Sequence, residues 1–381
     1  MKFFYSDTFR LGILGGGQLG RMLIQEAANY DVRVAVLDPT ADAPCSKICH
    51  EFVRGSFQDY DTVIAFGEGK DVITVEIEHV NTDALETLEK SGVAVYPKPA
   101  FLRMVQDKGL QKEFYSNHSI PTASYRLIKS VSELQSSDTP FPFVLKSRTG
   151  GYDGKGVQII RKEEDLKSTF DGPCVVEELV PFEKELSVLI ARNKQGEIST
   201  FPLVEMEFNP EANLVEFLFS PAQVEHAIEH EAQAIARKIV EAADFVGLLA
   251  VELFLTKDGT LLVNEMAPRP HNSGHHTIEA CTTSQYEQHL RAILSLPLGK
   301  TNLIQPAVMI NLLGAAGHEG AVQYKGLEEA LKMPGVHIHI YGKPTTKPFR
   351  KMGHVTVTDP YLADAQERAR AILNLVKVES C

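Results

Sequence analysis

The sequence has no apolar run long enough to cross a bilayer. Its longest, residues 246–255, covers ten positions and is interrupted by Glu252, against the roughly 20 that a membrane helix needs. The opening residues lack the basic segment and apolar stretch of a secretory leader, so no export is expected. Cysteine is scarce: there are five, an odd number, and Cys45 with Cys49 has no second pair at zinc-finger spacing. All five are expected as reduced thiols in the cytoplasm. Positive charge is in deficit too, with 38 Lys and Arg against 50 Asp and Glu, a net charge of −12. That field repels nucleic-acid phosphates and anionic lipid, so no nucleic acid and no membrane is expected as a partner, and an anionic ligand needs a local basic cluster. No repeat or low-complexity tract is present. The balance of 44% hydrophobic and 23% charged residues is that of a folded globular protein, and 381 residues leave room for two or three domains.

The N-terminal part alternates short apolar runs with helical periodicity. Residues 11–14, 32–37, 71–77 and 93–96 read as strands, while Leu19, Met22, Leu23 and Ala27 recur at helical spacing, which predicts a parallel α/β layer. A polar helix is expected over 101–116, and Ser130 with Glu133 has capping-box spacing. Strands at 143–147, 157–160, 175–178, 185–191 and 198–203, with a hairpin turn at 193–196, predict antiparallel structure next. A helix over 222–243, paired strands at 249–255 and 260–266, and a smaller α/β segment ending in a helix over 363–376 complete the pattern.

Three constellations carry chemistry. Gly15-Gly16-Gly17-Gln18-Leu19-Gly20 follows a strand and opens a helix, and Asp38 lies 18 residues beyond Gly20, close to a dinucleotide fingerprint. NAD is one reading; a tight turn holding another phosphate, or nothing, is the other. The second is Gly150-Gly151-Tyr152-Asp153-Gly154-Lys155-Gly156 between two strands, where missing Cβ atoms let backbone amides converge on phosphate oxygens and Lys146 adds charge. The third is the hairpin centred near Asp258, which sets Glu252 opposite Asn264 or Glu265. Like charges facing each other across strands are destabilising unless a cation lies between them, and Mg²⁺, accompanying nucleotide phosphates, is the expected ion. The alternative pairs Glu265 with Arg269 or with water. Backbone groups of Glu177, Glu178, Leu179 and Val180 could read an adenine, and Glu185 could accept from ribose hydroxyls. Residues 269–276 form a polar loop in which Arg269 suits an anion and His271 with His275 is a poor zinc pair. Lys343 and Arg350-Lys351 make a basic cluster in an acidic chain.

These motifs, with Asn264-Glu265-Met266-Ala267-Pro268-Arg269-Pro270-His271-Asn272-Ser273 and Arg350-Lys351-Met352-Gly353-His354, resemble the N5-carboxyaminoimidazole ribonucleotide synthetases, ATP-grasp carboxylases of purine synthesis, over nearly the whole chain. The resemblance implies an α/β and α+β architecture: a pre-ATP-grasp parallel α/β domain at 1–104, an ATP-grasp domain at 105–298 with a mobile lid at about 122–182, and a small C-terminal domain at 299–381. It also explains the 15–20 turn as part of the first domain. Carried over, ATP would meet Lys108, Lys146, Gly150, Gly151, Tyr152, Asp153, Gly154, Lys155, Gly156, Glu177 to Val180, Glu185, Asn264 and Glu265. Mg²⁺, or Mn²⁺ in its place, would be held by Glu252 and Glu265. The aminoimidazole ribonucleotide would meet Glu76, Tyr152, Asp153, Lys155, Arg269, His271, Asn272 and Ser273, with its phosphate near Lys343 and Arg350. Asp153, Lys155, Arg269 and His271 would be the catalytic set. Lys108 stands where many relatives have Arg, and Phe208 where relatives tend to place a nucleotide-contacting His. The family's habit implies a homodimer. The competing readings are a nicotinamide dehydrogenase on Gly15 to Gly20 and Asp38, a nucleotide sensor without catalysis, and carboxylation of another acceptor such as biotin.

Overall fold

The computed structural model describes residues 3–134, 140–151, 156–170, 172–209 and 214–381. Consecutive apolar residues suit strands covered on both faces. Leu11–Leu14, Val34–Asp38 and Val72–Val75 are such strands, fully buried within a five-stranded parallel sheet. Its edges are Ala94–Val95 and an unanticipated strand, Glu51–Arg54, whose exposed charged ends mask two half-buried residues. Helix Gln18–Asn29 buries Leu19, Met22, Leu23 and Ala27 against it, as their spacing predicts.

The helix expected over 101–116 is two helices, Pro99–Val105 and Lys108–Asn117. Asp107 separates them. Its carboxylate accepts from the amides of Gly109 at 2.8 Å and Leu110 at 3.3 Å, and takes the Arg148 guanidinium at 2.8 and 2.6 Å. Capping of orphan amides by that side chain starts the second helix at Lys108. Ser130 caps a single 3-10 turn, Val131–Glu133, its hydroxyl accepting from the Ser132 amide at 3.3 Å, and the Glu133 carboxylate accepts from the Lys129 amide at 2.8 Å.

Beyond the first sheet, a four-stranded antiparallel sheet orders Tyr125–Ile128, Cys174–Glu178, Phe143–Ser147 and Val157–Ile160. A nine-stranded sheet then runs from Leu261–Ala267 through Gly247–Thr256, Phe182–Arg192, Val204–Asn209 and Leu214–Ser220 into Ala307–Leu313, Lys351–Thr358 and Val336–Ile340. Its ninth strand, Ile198–Thr200, stops short of the expected 198–203, because Pro202 cannot donate to a ladder. Helix His226–Ala242 seats Ala232, Ile235, Ala236, Ile239 and Val240 on Leu186, Val188, Ile190 and Val251 of the sheet. That packing leaves the opposite face and the strand ends to build a cleft.

Candidate active site

In the hairpin, Leu255 faces Leu261 and Leu253 faces Val263; a bulge at Asn264 then brings Glu252 opposite Glu265. The expected juxtaposition of acids is present. Lys108, placed by the Asp107 cap, lies 2.7 Å from Glu265, whose side chain is 45% exposed to the cleft. That ammonium outweighs partial burial and holds the Glu265 carboxyl below the usual carboxylate range. Burial together with the Glu265 charge drives Glu252 well above it. The Glu185 carboxyl is also pushed up to about 7, first by burial and then by Glu265. Carboxylates thus crowd one wall of the cleft, and a cation in front of them would lower their common cost.

Behind that wall lies a lysine cluster. Lys146 donates to Asn264 Oδ1 at 2.9 Å and reaches Glu177 Oε2 at 3.0 Å. Lys112 reaches the other Glu177 oxygen at 3.3 Å and donates to Thr122 Oγ1 at 2.6 Å. Lys108, Lys112, Lys146, Glu177, Asn264 and Glu265 border one small cavity. Burial draws the Lys112 ammonium down to about 8 despite Glu177. The Glu177 side chain is therefore committed to the interior, whereas Glu178 is exposed and ends its strand, with Leu179 and Val180 in the following connection. In the glycine loop, Gly150 and Gly156 take φ of 78° and 75°, the left-handed region that glycine favours. The Ser147 amide donates to the Gly156 carbonyl at 2.8 Å. Gly151 is half-buried beside them; Tyr152, Asp153, Gly154 and Lys155 lie outside the described residues.

The 269–276 loop closes the cleft. Arg269 donates through Nε and Nη2 to both oxygens of Glu78, at 2.5 and 3.1 Å. His271 is held by its backbone, since the Gln285 side chain accepts from its amide and donates to its carbonyl, each at 2.8 Å. Its ring places Nδ1 2.9 Å from Ser273 Oγ, which meets buried Ser187 Oγ at 2.8 Å, and Nε2 3.7 Å from Glu252. Burial, aided by Arg269 and Lys351, lowers His271 to about 3, so it is neutral at physiological pH. Asn272 exchanges two amide hydrogen bonds with Asn311, at 2.9 and 3.1 Å. His275 is turned into the core, hydrogen-bonded to Tyr286 at 3.0 Å and stacked on His354, so it forms no ligand pair with His271.

Comparison with known proteins agrees with this geometry. Residues 9–106 match the ribonucleotide synthetase preATP-grasp domain, 113–286 the ATP-grasp domain, and 307–368 the phosphoribosylaminoimidazole carboxylase C-terminal domain. The N5-carboxyaminoimidazole ribonucleotide synthase of Bacillus subtilis is 40% identical over 355 residues, covering 91% of this chain and 90% of its own. The chain belongs to the N5-carboxyaminoimidazole ribonucleotide synthase family. The ATP-grasp fold and the ligase class read from the sequence are borne out. The chain is also 40% identical to the chloroplastic phosphoribosylaminoimidazole carboxylase of Vigna aconitifolia, but spans only 66% of that protein's length. Among solved structures, the synthetase of Thermotoga maritima superposes with a TM-score of 0.91 at 44% identity, covering 98% of this chain and 100% of that one. An Aspergillus clavatus synthase in complex with ADP and 5-aminoimidazole ribonucleotide gives 0.88 at 35% identity, covering 97% and 98%.

In this chain the dinucleotide-like turn is filled by protein carboxylates. Asp38 accepts from the amides of Gly16 at 2.7 Å and Thr40 at 2.8 Å. Glu76 accepts from the Leu19 amide at 3.2 Å, and a Cβ at Gly17 would lie 2.3 Å from its Oε1. The glycines make room for Glu76, and a pyrophosphate would meet two acids; the NAD reading is overturned. Burial pushes the Glu76 carboxyl up to about 7, against the Arg269 guanidinium. Lys343 donates to the Lys351 carbonyl at 2.6 Å and contributes positive field at Glu76. Arg350, half-buried, donates to the Thr345 carbonyl at 2.8 Å and to the Thr345 hydroxyl at 3.0 Å. Its neighbour Lys351 acts electrostatically on both Glu252 and His271. Sequence reasoning noted Lys351 only as part of a basic cluster and missed Lys112, Glu78 and Arg21, the last standing beside Gly342 near Lys343. Phe208, on strand Val204–Asn209, packs partly buried with Met206 and Leu218. Among the described residues no helix is long and apolar enough to cross a membrane.

Proposed function

We propose that this chain carboxylates 5-aminoimidazole ribonucleotide with bicarbonate at the expense of ATP, giving N5-carboxyaminoimidazole ribonucleotide, ADP and phosphate, in purine biosynthesis. The observation that carries the reading is the convergence, on one cleft, of the Glu252–Glu265 pair, the Lys108 and Lys146 ammoniums, and Arg269 with His271. The first three groups suit a triphosphate; the last two suit a small anion and its acceptor.

The chemistry is phosphoryl transfer followed by carboxyl transfer. A bicarbonate oxygen takes the γ-phosphoryl group and ADP departs; the exocyclic amine then attacks the carboxyl carbon, directly or as released CO₂, and phosphate leaves. Lys146, positioned by Glu177 and Asn264, neutralises phosphate oxygens. Arg269 holds carbonate, and neutral His271 offers a ring proton without adding charge. Asp153 would orient the amine or take its proton, and Lys155 and Tyr152 would close the glycine loop over the nucleotide. Glu185 and residues 177–180 would read ribose and adenine; Glu76, Asn272, Ser273, Lys343 and Lys351 would border the ribonucleotide. Glu252 and Glu265 fit a hard divalent cation, because they face one another with Glu252 driven to hold a proton in its absence. Mg²⁺ there would supply charge neutralisation of the phosphates. The reading includes a cytoplasmic homodimer, which sedimentation of the purified chain tests.

The deciding experiment measures ATP consumption with aminoimidazole ribonucleotide, with and without bicarbonate. Turnover is expected only when both are present; turnover that ignores either overturns the reading, and tight ATP binding with no product returns the sensor alternative. A second outcome concerns pH. Glu76 and Glu185, raised to about 7, and Glu252, raised further, hold protons in the folded state that the unfolded chain has released above about pH 4.5. Their contribution to stability is therefore full below that pH and is lost as pH rises through 7 to 8. Buried His271, His275, His276, His289 and His354, all lowered by burial, work the opposite way below about pH 6.5, because there the unfolded chain binds protons that the folded one does not. Thermal melts of ligand-free protein are therefore expected to show stability falling from about pH 7 to 8, where the histidines are neutral in both states, and Mg²⁺ with ADP is expected to restore most of it at the upper end.

A further inference from the structure

Arg269 and Glu78 are separated by 191 residues, yet they form a two-pronged ion pair. Glu78 follows strand Val72–Val75 of the parallel sheet, and Arg269 follows strand Leu261–Ala267 of the nine-stranded sheet. The pair thus spans the two sheets whose junction forms the cleft. Each member is less than one-fifth exposed, at 17% for Arg269 and 18% for Glu78.

Two features show that Glu78 is built to hold the arginine. Its backbone is pinned, because the Gln106 side chain donates to the carbonyls of both Glu78 and Val80 at 2.8 Å. Its neighbour Glu76, which also feels the Arg269 charge, is committed to the glycine turn through the Leu19 amide. Burial would raise the Glu78 carboxyl, but the guanidinium outweighs it and holds it at about 2. An arginine on a loop has four side-chain torsions to fix; a fork-to-fork contact fixes the plane as well as the position of its guanidinium, which a single hydrogen bond cannot do.

Resting on the carboxylation reading, we infer that Glu78 is a positioning residue for that reaction, aiming the Arg269 guanidinium at the carbonate-derived group from across the domain junction. The alternative is an ion pair that only joins two sheets. The two differ in what Glu78→Gln changes. That variant keeps the size of the side chain and one acceptor but loses the second prong and the charge.

Glu78→Gln is expected to lower kcat by about 10²-fold, the cost of a displaced catalytic group, with ADP affinity and the KM for ATP unchanged. Glu78→Asp keeps the charge and withdraws it by one methylene, and is expected to lose less. If Glu78 acts through Arg269, adding Glu78→Gln to Arg269→Ala costs nothing further. In nitrogen-15 spectra the Arg269 Nε–H signal is expected to be exchange-protected in the wild type and unprotected in Glu78→Gln. A Glu78→Gln protein with wild-type kcat beside an inactive Arg269→Ala protein overturns the inference, as does a double variant whose loss is the product of the two single losses. Failure of the carboxylation reading shows differently, as wild-type protein without bicarbonate-dependent turnover; the protection of Nε–H then still decides whether Glu78 fixes the guanidinium.

Discussion

Glu265→Gln is expected to reduce turnover by about 10³-fold, equivalent to about 4 kcal/mol of lost charge stabilisation around the phosphates. The residue has two partners to lose. It faces Glu252 across the hairpin, where the pair would hold the divalent cation, and it pairs with Lys108 at 2.7 Å. Glutamine retains the shape and one oxygen but not the charge. Burial still favours a protonated Glu252, but removing that charge relieves the repulsion added to it, so Glu252 is expected to titrate lower in the variant. Steady-state phosphate release measures the first effect; melting with ADP, with and without Mg²⁺, measures the loss of the cation's contribution. A variant that turns over normally and keeps its Mg²⁺ response would remove Glu265 from the metal site.

The largest effect on stability is expected from Glu177→Gln, a loss of about 3–5 kcal/mol, because a buried charge pair broken from one side leaves its partner uncompensated. Here two partners are left. Lys112 and Lys146 each take one Glu177 oxygen, and all three side chains are at most 10% exposed. One glutamine oxygen can accept from one lysine, while its amide turns donors toward the other. Urea denaturation reads the loss as a lower midpoint at unchanged slope. ATP affinity is expected to fall with it, since Lys146 owes its place to Glu177 and Asn264. An unaltered midpoint would mean that the lysines find other counter-charges.

The opposed acids were legible in the sequence because a hairpin's register is local: a turn at 257–259 fixes what faces Glu252, and only the bulge at Asn264 chose between its two candidate partners. The parallel strands were legible for a similar reason, as unbroken apolar runs. What escaped was set by distant partners. Asp107 breaks a continuous helical pattern because Arg148 and two amides draw on its carboxylate. The glycine turn suggested a dinucleotide because backbone geometry alone cannot distinguish a phosphate from Glu76, 57 residues from the amide it binds. Glu78 gave no signal, for its meaning lies in Arg269. Lys351 sat inside a noted motif, yet its influence on Glu252 and His271 depends on where the strand it opens, Lys351–Thr358, passes the cleft.

Because Ala307–Leu313 hydrogen-bonds directly to Leu214–Ser220, the final eighty or so residues are not an appendage that can be trimmed. A protein shortened after residue 298 would bare a strand rich in phenylalanine, with Phe217 and Phe219 stripped of Val308 and Ile310. Such an edge recruits other chains. Truncation would therefore yield aggregates rather than a nucleotide-binding fragment, and any minimal or transplanted version of this catalyst has to carry its tail along.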